Sequence, residues 1–159
     1  VVYETEVNAF APMDAAGNIT NTAVVTGAGI TPITVTETIG TESTPILTIT
    51  KSVSPVPVTE NGTLTYTFLI QNSGSAPADI GTDAVIVDTF NPLLSNLAVS
   101  FNGTAWAETT NYTYDETTGV FTTIAGQITV PAATYTQNPV TGVWTADPGV
   151  STLVVKGTI

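Results

Sequence analysis

Along most of this chain apolar and polar side chains alternate with a period of two, as in residues 63–70, where Leu64, Tyr66, Phe68 and Ile70 stand between Thr63, Thr65, Thr67 and Leu69. That period belongs to a pleated strand with one face buried, because successive side chains point to opposite sides of a sheet. Similar runs occur at residues 1–7, 19–26, 33–39, 46–53, 84–90, 96–101, 111–114, 120–124, 127–130 and 151–159. No window carries the three-to-four spacing of an amphipathic helix. Turn formers separate the runs: Asp14-Ala15-Ala16-Gly17-Asn18, Glu60-Asn61-Gly62, Asn72-Ser73-Gly74, Asn102-Gly103, Asp115 to Gly119 and Asp147-Pro148-Gly149. Short strands with frequent turns predict an all-β, antiparallel sandwich. At 159 residues the chain has room for one such core and some extra strands.

Composition sharpens this reading. Threonine fills roughly one position in five, and its β-branched side chain suits a half-buried pleated surface. Only 9% of residues are charged, with 13 carboxylates against Lys51 and Lys156 and no Arg or His. Such a surface cannot neutralise phosphates, so nucleic acid is not an expected partner. Apolar runs are broken every few residues and none reaches the length of a spanning helix, so membrane insertion is not expected either. There is no Cys, which leaves no disulfide framework and no thiolate chemistry. A composition change near residues 40–45 divides the chain into residues 1–45, too few to bury a core, and residues 46–159. The first piece must pack either on the rest of the chain or on a neighbour.

Five stretches together carry a family resemblance: Leu47 to Val53 (LTITKSV), Asn61 to Thr67 (NGTLTYT), Gln71 to Ala78 (QNSGSAPA), Val85 to Phe90 (VIVDTF) and Ile19 to Val25 (ITNTAVV). They resemble the immunoglobulin-like domain of undefined function that is repeated in tandem on bacterial and archaeal cell-surface proteins. In that family the strand resembling residues 19–25 closes a repeat whose opening strand carries the lysine, whereas here Asn21 precedes Lys51. The resemblance implies that residues 1–45 hold the closing strands of one repeat plus a linker. Residues 46–159 then form a sandwich lacking its final strand, which N-terminal strands of a neighbouring copy would complete through Ile19, Ala23, Val24 and Val25. Either a subunit polymerising by strand donation or a window on a longer tandem array fits this order. The implied function is a structural subunit of an extracellular, cell-surface filament, its partners being copies of itself. Residues 96–150 have no counterpart in the resemblance.

Lys51, Asp88 and Asn21 are the sharpest chemical candidates. In adhesins and pilins of similar architecture a strand Lys and a strand Asn condense into an isopeptide bond assisted by a carboxylic acid. That reaction needs apolar burial, which favours the neutral amine and the protonated acid. The plainer alternative has Lys51 pointing outward, Asp88 capping a turn and Asn21 serving edge backbone groups. A second function class, an adhesin or carbohydrate-binding module, would stack glycans on Trp106 or Trp144, with Tyr112, Tyr114 and Tyr135 nearby. Asp79, Asp83 and Asp88, or Asp115 with Glu116, have no spacing that defines a metal loop or an acid pair. No metal or cofactor is expected. With no His, Cys, phosphate loop or nucleophile elbow, the chain is not expected to be an enzyme.

Overall fold

The computed structural model describes Val2, Glu4 and residues 18–40 and 43–159. The predicted run at residues 1–7 falls largely outside the described residues. The fold is all-β and its strand pairings are antiparallel. In chain order the strands are β1 (Asn18–Gly27), β2 (Ile30–Gly40), β3 (Leu47–Ser54), β4 (Thr63–Asn72), β5 (Val87–Thr89), β6 (Ser95–Phe101), β7 (Thr104–Trp106), β8 (Tyr112–Asp115), β9 (Val120–Thr123), β10 (Thr134–Gln137), β11 (Trp144–Asp147) and β12 (Gly149–Thr158). One 3-10 turn at Ile80–Thr82 is capped by Asp79, whose carboxylate accepts from the Gly81 N–H.

Two sheets face each other across one core. The larger has five strands in the order β3-β4-β12-β6-β7, and the smaller has three in the order β5-β9-β8. Strand β4 buries Leu64, Tyr66, Phe68 and Ile70 on its inner face, while the alternating outer positions stay partly or wholly exposed. Strand β12 lies between β4 and β6 and does the same with Leu153 and Val155. From the smaller sheet and its flanking loops come Phe90, Tyr112 and Phe121, and Phe90 meets Tyr66 with ring centroids 4.7 Å apart. Each fully buried side chain of this size stabilises the fold by about 1.5–3 kcal/mol. The core is therefore an aromatic seam between unequal layers.

Three departures from the sequence pattern have local causes. Residues 127–130 form no strand: Val130 makes only a bridge to Ala78, and Ile128 serves as a buried core residue of a loop. Residues 84–86 of a predicted run also lie outside β5, which spans three residues only. Strand β6 was legible as the run 96–101, but its partner β7 and the pair β10 with β11 had no clear alternation to reveal them. Near the second hairpin the backbone passes so close to Gly149 that an added Cβ would lie 1.8 Å from the Pro131 carbonyl oxygen. Only glycine fits there.

Asn72 shows how a turn signal can hide a structural centre. Its side chain is fully buried, and its Oδ1 accepts from the N–H groups of Ile46 and Gly74, both at 2.9 Å. Its Nδ2 donates to the carbonyls of Ala76 and Pro131, at 2.7 and 3.0 Å. One amide thereby joins the approach to β3, the loop after β4 and the loop before β10.

Candidate functional site

Two surfaces are left incomplete by this arrangement. The first is the flank where β3, an edge of the larger sheet, and β5, an edge of the smaller one, lie side by side. Register places Leu47, Ile49, Lys51 and Val53 opposite Asn72, Ile70, Phe68 and Tyr66 of β4, hence on the inner face. The β4 members are buried, yet Ile49 is 51% exposed and Val53 40%. A five-stranded layer against a three-stranded one leaves β3 only partly covered. The recess there, about 160 Å³, is lined by Leu47, Thr48, Ile49, Ile70, Ala84, Val85, Ile86 and Ile128. A void of that size accepts a benzene-sized apolar group, well short of a drug-sized ligand.

Lys51 and Asp88 meet at this opening. Asp88 pairs with Phe121 in register and is only 19% exposed, so its carboxylate turns toward the space between the layers. The Lys51 ammonium donates to it and lies over the rings of Tyr66, Phe90 and Phe68, with centroids at 4.7, 5.2 and 5.6 Å. Such placement replaces lost hydration by an ion pair and three ring quadrupoles. Burial first, then the Asp88 and Tyr114 charges, raises the Tyr66 phenol above its usual range. Two of the three candidate cross-link residues are thus together, though Lys51 remains 38% exposed.

The third, Asn21, sits on β1, which among the described residues pairs with β2 in a hairpin that joins neither sheet. Opposite positions there are Ile19 and Ile39, Asn21 and Glu37, Ala23 and Val35, Val25 and Ile33. These share one face, since side chains two apart along a strand point the same way. The other face is threonine, with hydroxyl contacts Thr20–Thr38 at 3.3 Å and Thr22–Thr36 at 3.1 Å. Val24 belongs with the threonines, opposite Thr34, and so stands apart from Ile19, Ala23 and Val25. Val25, Ile33, Val35 and Ile39 are all more than half exposed. Sequence reasoning named β1 but missed Glu37, whose only signal was its place opposite Asn21.

Several of the other candidates make internal contacts. The Trp106 ring stacks on Phe101 at 4.9 Å, and Trp144 lies on β11 in a different sheet. Tyr112 is in the core, the Tyr114 hydroxyl accepts from the Leu94 N–H, and the Tyr135 hydroxyl donates to the Ser73 carbonyl. Asp115 accepts from the N–H and hydroxyl of Thr117, bonds that pull its pKa down to about 2. Among the described residues no three acidic side chains converge as metal ligands would. No family model, curated protein or solved structure matches this chain. What the fold and the flank define is an all-β, sandwich-like protein in which, among the described residues, the β3 flank and one hairpin face keep apolar side chains exposed.

Proposed function

We propose that this protein is a structural subunit of an extracellular, cell-surface filament, an immunoglobulin-like sandwich that assembles head-to-tail by accepting strands from the next copy. The observation that carries this reading is the pairing of two defects: a partly uncovered inner face on β3 and an exposed apolar face on β1–β2 that pairs with no other described strand. Unpaired edges recruit further strands, and exposed apolar faces of this kind mark contact surfaces. Each defect has the chemistry that repairs the other.

A covalent weld belongs to the same proposal. The Lys51 amine of one copy attacks the side-chain carbonyl carbon of Asn21 from its neighbour, and the bond from that carbon to the amide nitrogen breaks. Asp88, as the acid, protonates the departing nitrogen and recovers a proton from the lysine nitrogen, so one ammonia leaves for each junction. Native material run on a boiled denaturing gel, followed by intact mass, tests both parts. A ladder whose junctions are each lighter by one ammonia supports the weld, whereas unmodified chain mass from material that forms filaments removes it. A chain that stays monomeric at high concentration sinks the filament itself.

A further inference from the structure

We infer that the hairpin β1–β2 of one copy covers the open flank of the next in a single register, with its Asn21–Glu37 pair resting on the Lys51–Asp88 pair. This rests on the self-assembly proposed above and gives it a geometry. Each surface is an apolar stripe interrupted once. On the hairpin the interruption is the row Asn21–Glu37, with one apolar row (Ile19, Ile39) on one side and two (Ala23, Val35 and Val25, Ile33) on the other. On β3 it is Lys51, with Val53 on one side and Ile49 and Leu47 on the other.

The one-and-two asymmetry fixes direction. With β1 antiparallel to β3, the rows of Ile19, Asn21, Ala23 and Val25 fall at the levels of Val53, Lys51, Ile49 and Leu47. Reversing the hairpin keeps polar on polar but carries the Val25 row past Val53 toward Pro55, beyond the end of β3, and leaves Leu47 uncovered. Charge points to the same row. A carboxylate taken out of water needs a cation, and the chain has only Lys51 and Lys156. Lys156 lies on the outer, solvent side of the central strand β12, so Lys51 is the cation at an uncovered apolar surface. Glu37 therefore meets Lys51, with Asn21 at the same level of the stripe. The occupant is a second copy of this chain because it carries the complementary stripe.

Charge exchange tests the register. Glu37→Lys and Lys51→Glu are each expected to lose filaments by electron microscopy and sedimentation, since either places like charges together. An equimolar mixture of the two is expected to recover filaments to the parental level, because every donor then faces an opposite charge. Thr36→Lys, on the threonine face, is expected to assemble normally, and circular dichroism establishes that each variant is folded. If Lys51→Glu fails to fold beside Asp88, Glu37→Lys decides the matter alone against Thr36→Lys. Normal filaments from Glu37→Lys, or equal loss with Thr36→Lys, overturn the register and leave self-assembly standing. A parental chain that forms no filaments removes both.

Discussion

Asn72 is a single side chain on which three segments depend, because each of its four hydrogen bonds serves a backbone group near β3, β4 or β10. Truncation to alanine would strand those groups in a buried site, where each unsatisfied one costs on the order of 1–3 kcal/mol unless water enters. We expect Asn72→Ala to lose about 3 kcal/mol and to lower Tm by roughly 10 °C. Calorimetry checks this, and a change under 2 °C would show that water replaces the amide. The sequence marked Asn72 only as a turn former beside Ser73 and Gly74, since a buried amide and an exposed one look alike in a string of letters. Lys51 and Asp88 were legible for the opposite reason: a cation in a chain almost without cations, and a carboxylate at the end of Val85-Ile86-Val87, stand out. That they touch is a matter of topology.

At the scale of elements, strands with clean alternation were readable and the rest were not. β4 and β12 alternate because each has one face in the core and one outside. β7, β10 and β11, of three or four residues each, were not legible, whereas β8 and β9, of four each, were. Residues 127–130 alternate without being a strand, since loop residues can also bury every second side chain. β1 and β2 alternate as strongly as core strands although neither is buried, a pattern suited to a face that acquires its cover elsewhere. The two faces give a sharp contrast. Val25→Asp puts a carboxylate into the proposed contact at a cost of several kcal/mol and should weaken assembly by a hundredfold or more. Val24→Asp, on the threonine face, should change it little. Sedimentation over a concentration series reads both, and equal effects would mean that the apolar face is not the one that docks.

For the whole molecule the dominant charge term is repulsion between copies, each with a net charge of −11. One Glu37–Lys51 contact cannot offset that field, because an ion pair between such groups contributes little and the repulsion is summed over the surface. Raising ionic strength from about 0.01 M to 0.15 M shortens the screening length from roughly 30 Å to 8 Å. The concentration needed for assembly should therefore fall several-fold by light scattering, and a rise would show that attraction between charges controls the contact.

The scarcity of cations also gives this protein an unusual relationship with trypsin, which cuts after Lys and Arg and so has two places to act, Lys51 and Lys156. Lys156 is held in a strand with neighbours on both sides, opposite Thr65 and Ala98, and cutting there requires opening the core. Lys51 lies on an edge strand paired on one side only, the kind of segment that frays first. Dilute chain should be nicked after Lys51 and otherwise left whole. Assembled material, with that edge covered, should pass through the protease unmarked, and equal nicking in both states would show the edge still open.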